Sequence, residues 1–492
     1  MIATILLALS VAGLDWKVPS AYARVDGDVL TVDIPATNHP GTAMATATVP
    51  RTWTDGKGGL LFSVEAWGEG LAKPVKPYLG LKSQVHWRDS RTGREEWPNV
   101  RGRIGGFART RLFTHADFGD AEPDSAQVQL GLQGTSGRVS FDLSTFRFEP
   151  WRPLMVEMNP NRIVGYPSRV SGDIRRRGVM LPARDPTEDD FRTLRDWGVT
   201  LVRFQMVRGW GRTNDNRDIA EYGRWVDGRL DVLERTVLPC VRRYGMKAVV
   251  DLHVAPGGRG EGGQMNMFVE PEYAAAFVEA WRRIARRFRG NADAIYGYDL
   301  INEPSQVEFC DCGYWDLQRR AAEAVRAIDP ETTIIVESNQ WASPGEFARL
   351  GALDMDNVIY QAHLYAPLEY THQGVGGRTT GLAYPDAKKG WNREYLVRML
   401  APVRAFEKKH RAKIYIGEFS AIAWAEGAER YLADCISIFE EYGWDWTYHA
   451  FREWQGWSVE HEGPDAGHLK RVADSPRMRV LKAGFSSHCS EL

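Results

Sequence analysis

The chain has 492 residues, 26% of them charged, with a formal net charge of -2. A balance so near neutral gives no electrostatic reason to expect nucleic acid or a membrane surface as partner. The length exceeds one ordinary domain and makes two the natural count. Trp is abundant, at 18 residues; its flat apolar face and N–H handle suit sugar rings, although filling a large core accounts for most of them. The five cysteines, Cys240, Cys310, Cys312, Cys435 and Cys489, show no metal-type spacing and no paired framework. Cys310 and Cys312 are too close for an ordinary bridge, and Cys240 and Cys435 fall in helical patterns that bury small apolar residues.

Ile2 to Gly13 is an apolar run too short to span a bilayer and suited to the core of an export signal. Small residues follow at Ala12-Gly13 and Ala21-Tyr22-Ala23, yet no Lys or Arg precedes the run. The expectation is a signal region over 1–23 and a secreted or periplasmic protein; a buried first strand is the competing reading. From 24 to 150 the pattern has period two. Leu30, Val32 and Ile34 alternate with Thr31 and Asp33; Val128, Leu130 and Leu132 lead through Gly134 and Gly137 to Val139, Phe141 and Leu143. This predicts an all-β sandwich of jelly-roll type. It resembles carbohydrate-binding modules in architecture only, and a purely structural role is an equal alternative. Trp53, Trp67, Trp87 and Trp97 are its candidates for exposed aromatics.

A Pro- and Arg-rich connector over 151–173 precedes a change of rhythm, and strands then alternate with helices over 174–488. The strands are read at Arg177–Leu181, Thr200–Phe204, Lys247–Leu252, Ile295–Leu300, Thr333–Glu337, Val358–Ala362, Lys413–Gly417 and Trp444–Phe451. Pro186-Thr187 followed by Asp190 has capping-box spacing for the first helix. No Gly-rich phosphate turn follows the first strand, so the order fits a (β/α)8 barrel rather than an open doubly wound sheet. Long loops are expected at 207–229, 255–268 and 366–391, the second Gly-rich enough to act as a flap or to be a plain solvated turn.

In such a barrel the C-terminal strand ends form one rim, where polar residues converge. Reading them off gives Arg203, His253, Asn302, Glu303, His363, Tyr365, Glu418 and Trp454. Any one of them has an ordinary structural explanation; eight in barrel order do not. Two carboxylates on separate strands, Glu303 and Glu418, can divide the cleavage of a glycosidic bond between them. Trp210, Trp341 and Trp424, just past strand ends, are further candidates for sugar stacking. Glu453 is a third carboxylate near the rim, able to pair with Arg452 or to contact substrate.

The segments Asp251-Leu-His253-Val-Ala-Pro-Gly-Gly258, Ile301-Asn302-Glu303-Pro304, His363-Leu-Tyr365, Ile416-Gly417-Glu418-Phe419 and Phe451-Arg-Glu-Trp454 resemble those of glycoside hydrolase family 5, the retaining cellulase-type hydrolases, from about Arg175 to Phe485. The resemblance implies Glu303 as acid/base with a raised pKa and Glu418 as an ionised nucleophile held by Arg203 and Tyr365. It implies Asn302 on the sugar 2-OH, His253 and His363 orienting hydroxyls or Glu303, and Trp454 as the floor under the reacting sugar. No cofactor or metal is implied, and a monomer is expected. The first strand offers no ligand for a metal-dependent barrel hydrolase. The expected function is retaining, endo-acting hydrolysis of a β-1,4-glucan or related polysaccharide. A β-mannanase, exo-β-glucanase, β-glucosidase or transglycosylase on the same scaffold, and a non-catalytic sugar-binding protein, are the alternatives.

Overall fold

The computed structural model describes residues 6–11, 14–19, 21–55, 58–76, 78–100, 103–149, 175–209, 214–260, 263–306, 310 and 313–486. The expected connector over 151–173, Trp210, Cys312 and Cys489 lie outside the described residues. The chain divides into two compact units: Met1–Val156 with Arg259–Ala274 and Gln306–Gly313, and Glu157–Gly258 with Ala275–Ser305 and Tyr314–Leu492.

The first unit contains strands β1 (Leu6–Val11), β2 (Leu14–Pro19), β3 (Ala23–Asp26), β4 (Val29–Ile34), β5 (Gly41–Thr48), β6 (Gly59–Leu71), β7 (Gly80–Asp89), β8 (Arg94–Glu96), β9 (Gly105–Asp117), β10 (Ser125–Thr135) and β11 (Gly137–Glu149). They form two antiparallel sheets, ordered β1-β2-β5-β10-β7-β8 and β3-β4-β11-β6-β9. The period-two positions read from sequence face inward: Leu30, Val32, Ile34, Val128, Leu130, Leu132, Val139, Phe141 and Leu143 are all buried in one core. Each such side chain contributes about 1.5–3 kcal/mol of burial. Leu14, Trp16 and Val18 of β2 join that core, although they lie in the stretch expected as a signal region.

Of the four Trp expected at the sandwich surface, Trp97 alone is well exposed, at 52%, stacked on the His86 ring. Trp87 is fully buried against Phe118, Trp53 is half-buried on Phe148, and Trp67 is half-buried with Arg109 over its ring. The inward register of β7 overrides what an isolated Trp suggests. At the end of the Gly-rich stretch read as a flap or a solvated turn, Met265, Met267 and Phe268 are each buried. Just beyond it Val269 O accepts a hydrogen bond from Thr110 Oγ1, 3.0 Å away.

The second unit is a closed parallel barrel of β12 (Arg177–Met180), β13 (Leu201–Gln205), β14 (Lys247–Asp251), β15 (Ile295–Asp299), β16 (Ile334–Glu337), β17 (Val358–Leu364), β18 (Lys413–Phe419) and β19 (Asp445–Tyr448). Helices α1 (Glu188–Trp197), α2 (Ile219–Val232), α3 (Leu238–Arg243), α4 (Pro271–Phe288), α5 (Tyr314–Arg326), the short α6 (Asn339–Ala342) and α7 (Leu368–Thr371), α8 (Arg393–His410), α9 (Ala428–Tyr442) and α10 (Pro476–Ser486) connect and cover the strands. Thr187 and Asp190 close a reciprocal capping box at α1, an arrangement in which the cap contributes about 1 kcal/mol.

One expectation is corrected here: half of the long loop read after the second strand is α2. Tyr222, Val226 and Leu230 bury one face at four-residue spacing, and the Asp218 side chain caps the Glu221 amide. Gly223 and Gly228 weaken that signal in sequence, because glycine disfavours helix interiors.

Gly178 is fixed by close approach of β12 to β13. A Cβ built on it would lie 1.7 Å from the backbone oxygen of Leu201. Gly178→Ala is expected to destabilise the barrel by about 3 kcal/mol through forced strand separation, read as a lower midpoint for its urea unfolding transition.

Candidate active site

The barrel interior is layered by the two-residue repeat of its strands. Leu201, Val249, Ile335 and Ile359 belong to an apolar layer, and two residues further along the same strands stand Arg203, Asp251, Glu337 and Gln361. This second layer is polar and fully buried. Arg203 is its centre. Its Nη1 donates to Glu418 Oε1 at 2.6 Å, and its Nη2 to Asp299 Oδ2 at 2.8 Å, Glu337 Oε1 at 2.8 Å and Asn302 Oδ1 at 3.0 Å. Asp251 Oδ2 lies 3.3 Å from the same Nη2.

One guanidinium cannot neutralise four carboxylates, so the buried acids respond to burial differently. Burial, reinforced by Asp299, pushes Glu337 well above the usual carboxylate range despite Arg203. Burial likewise raises Asp299 to about 6. At Glu418 burial also acts upward, but the charges of His363, His449, Arg203 and His253 outweigh it and hold the carboxyl below its ordinary range. Tyr365 Oη donates to Glu418 Oε2 at 2.8 Å. Burial and the neighbouring Glu418 push that phenol well above its ordinary value, so it remains a donor.

Glu303 sits just past β15 on a left-handed backbone, φ 49°, a conformation that costs a non-glycine residue roughly 1–2 kcal/mol. Its amide donates to Glu337 Oε2 at 2.6 Å, which pins the turn. His363 Nδ1 lies 3.2 Å from Glu303 Oε1 and 3.7 Å from Glu418 Oε2. One donor atom from each of these three residues falls within a mutual span of 4.8 Å. His253 orients Asn302 rather than Glu303: Asn302 Nδ2 donates to its Nε2 at 3.1 Å, and Asp251 Oδ2 meets its Nδ1 at 2.8 Å.

All eight rim residues read from sequence therefore gather in one place, seven of them lining a cleft of about 1230 Å³ and Arg203 lying beneath it. Trp454 is 40% exposed and packs edge-on to Trp424 and Trp457. Trp341, 44% exposed, also lines the cleft. Glu453 does not pair with Arg452, which is turned to Asp190 and Glu460. It accepts from Gln205 Nε2 at 3.0 Å and stands 3.3 Å from His449 Nε2. Glu453 and Glu418 outweigh burial and raise His449 to about 9, whereas burial, with His449 nearby, lowers His372 to about 4.

Sequence reading missed Asp251, Asp299, Glu337, Gln361, His372, His449 and Trp457. Asp251, Asp299 and Gln361 have apolar neighbours on both sides in the sequence, which disguise them. Glu337 ends β16 and carried the strand-end signal that marked the others.

Glu303, His363 and Glu418 are also the residues among those described that have the spread of a three-ligand metal site. Arg203 already holds Glu418 at 2.6 Å, so a dication bound there would face a fixed cation with nothing but the shared carboxylate between them. The trio is accounted for by hydrogen bonds without an ion.

An acid raised in the folded state stabilises most below its ordinary range, and that contribution disappears as pH rises through the folded value. For Asp299 the loss runs from about pH 4 to about 6. Asp299→Asn should flatten that part of the stability profile, becoming more stable relative to wild type above pH 6 than at pH 4, by about 1–3 kcal/mol. Urea midpoints across pH 4–8 measure it.

The family model described as cellulase (glycosyl hydrolase family 5) matches residues 171–454. Endoglucanase C of Acetivibrio thermocellus is 28% identical over 296 residues, 53% of this chain and 83% of that protein. Cellodextrinase A of Ruminococcus flavefaciens is 27% identical over 320 residues, 62% of this chain and 88% of that protein. A crystal structure of a hyperthermophilic endo-β-1,4-glucanase in complex with substrate matches with a TM-score of 0.50 at 18% identity, over 64% of this chain and 98% of that one, a likeness of fold. With a family model spanning more than half of its length, this chain belongs to the cellulase family of glycoside hydrolases, family 5.

Proposed function

We propose that this glycoside hydrolase cleaves internal β-1,4 bonds of a glucan with retention at the anomeric carbon, Glu303 serving as acid/base and Glu418 as nucleophile. The observation that carries the reading is the pair of carboxylates with oxygens inside a 4.8 Å span. That fits the roughly 5 Å spacing of retaining enzymes, in which the second carboxylate itself attacks the sugar, rather than the wider inverting spacing that leaves room for an attacking water. Their surroundings differ. Glu418 is held ionised by Arg203 and Tyr365, ready to attack. Glu303 is half-buried beside His363, placed to protonate the departing oxygen and afterwards to take a proton from water.

In the first step Glu418 forms an ester with the anomeric carbon as the glycosidic bond breaks, and the leaving oxygen takes the Glu303 proton. In the second, water attacks that carbon, loses its proton to Glu303 and releases Glu418. Asn302, fixed between Arg203 and His253, is the group for the sugar 2-OH. Trp454 offers the stacking floor. A glucan substrate is supported by the relatives, an endoglucanase and a cellodextrinase. Sugar binding by the sandwich, and export to where such polymers occur, belong to the same proposal. Among the described residues no helix is long and apolar enough to cross a membrane.

Glu418→Ala is expected to lower kcat on cello-oligosaccharides by on the order of 10⁴-fold; a variant keeping most of the activity contradicts the assignment. Proton NMR of the fresh product should show the β-anomer appearing first, and initial α-anomer would indicate inversion.

A further inference from the structure

Between α7 and α8 the chain turns back on itself from a fixed base. The buried Gln373 closes that base from both sides: its Nε2 donates to Leu382 O and its Oε1 accepts from the Leu382 amide, each at 2.9 Å. Trp424 Nε1 donates to Gln373 O at 2.9 Å, and Trp424 in turn packs edge-on to Trp454. Glycine is required next, since Gly374 has φ 79° and a Cβ there would lie 3.2 Å from Trp424 Nε1. Further out, the Arg378 amide donates to Val375 O at 3.3 Å and its carbonyl accepts from Gly374 at 3.2 Å. Val375 and Arg378 thus line the cleft from a loop braced on the tryptophans beside the reacting sugar.

Charge in the cleft is balanced except at this loop. The lining carboxylates are Glu303, Glu418 and Glu453. Arg203 meets Glu418 at 2.6 Å, and His449, raised to about 9, stands 3.3 Å from Glu453. Glu303, as the acid, enters the reaction protonated. Arg378 is the one Lys or Arg among the described lining residues. Its Nη1 donates to Val375 O at 3.1 Å, and among the described residues no carboxylate lies within 4.0 Å of its guanidinium. A neutral glucan offers this fork hydroxyls alone. A carboxylate offers paired oxygens matched to its spacing and a charge opposite to its own, and the walls of a cleft focus that attraction.

We propose that Arg378 makes this cleft selective for acidic chains: a hexuronate carboxylate on a β-1,4-linked substrate pairs with Arg378 while a neutral sugar occupies the reacting position. This deepens the glucan reading and rests on the assignment of Glu303 and Glu418. The bond cleaved and the steps that cleave it are unchanged.

The test compares cellohexaose with a hexasaccharide of the same linkage in which alternate glucose residues are oxidised at C6 to glucuronate. Successive residues of a β-1,4 chain are turned over, so these carboxylates lie along one edge and glucose remains available for the reacting position. At low salt, wild type should show a kcat/KM about tenfold higher for the acidic chain, with the ratio falling toward one as sodium chloride is raised. Arg378→Gln should bring the ratio to about one or below, and Arg378→Lys should restore part of the preference through charge without the fork. Both values in each ratio come from one preparation, so partial misfolding of a variant cancels. A ratio of one or less in wild type, with cellohexaose still cleaved, overturns the proposal and leaves the mechanism standing. A preference that Arg378→Gln retains also overturns it, because the carboxylate is then read elsewhere. If neither hexasaccharide is cleaved, the assignments of Glu303 and Glu418 fail, and this proposal with them.

Discussion

A single buried guanidinium carries the active end of the barrel. Arg203 is enclosed by Asp251, Asp299, Glu337 and Glu418, and removing it would strand several acids in a medium where an unpaired charge is severely penalised, on the order of 3–5 kcal/mol. Its fork addresses several acceptors at fixed angles, which the point charge of a lysine would not reproduce. Through Asn302 it reaches His253, and through Glu337 it reaches the strained Glu303 turn. Glu418, Glu303 and Asn302, the proposed nucleophile, acid and 2-OH ligand, are thus referred to one cation, so small displacements of β13 would be felt by all three.

The same network separates the protonation of acids that sequence alone would treat alike. Glu337 and Glu418 both contact Arg203, but burial prevails at one and surrounding positive charge at the other. A polar barrel layer with more acids than cations makes this sorting unavoidable. Tyr365, its phenol held neutral, adds a donor that favours the ionised form of Glu418. His372 and His449 flank the Tyr365 ring edge-on, with centroids 4.9 and 6.2 Å away, which fixes the direction of that hydroxyl.

Much of the site was legible because the barrel turns strand order into spatial convergence. His253, Asn302, Glu303, Tyr365 and Trp454 follow strands, and Arg203, His363 and Glu418 lie near strand ends, where the eye looks for chemistry. The buried layer was not legible: Asp251, Asp299 and Gln361 sit within apolar runs, and pattern alone does not tell an inward acid from a solvated one. The fate of Glu453 depended on a loop that turns Arg452 away toward Asp190 and Glu460, a tertiary choice with no local signal. In the sandwich, the alternation of β4, β10 and β11 gave the core directly, whereas the exposure of Trp87 was misjudged because period two needs a register to say which face is inside. The α2 helix was hidden by two glycines that its packed face tolerates.

The central claim, that Glu418 attacks the anomeric carbon, is tested most directly by trapping. A 2-deoxy-2-fluoro-β-cellobioside with a good leaving group should inactivate the enzyme, since the fluorine slows both formation and breakdown of the glycosyl ester while the leaving group restores only its formation. Mass spectrometry should then find one fluorocellobiosyl group per chain, on the peptide containing Glu418. Attachment to another residue, or turnover of natural substrate without any trapped ester, would contradict the account.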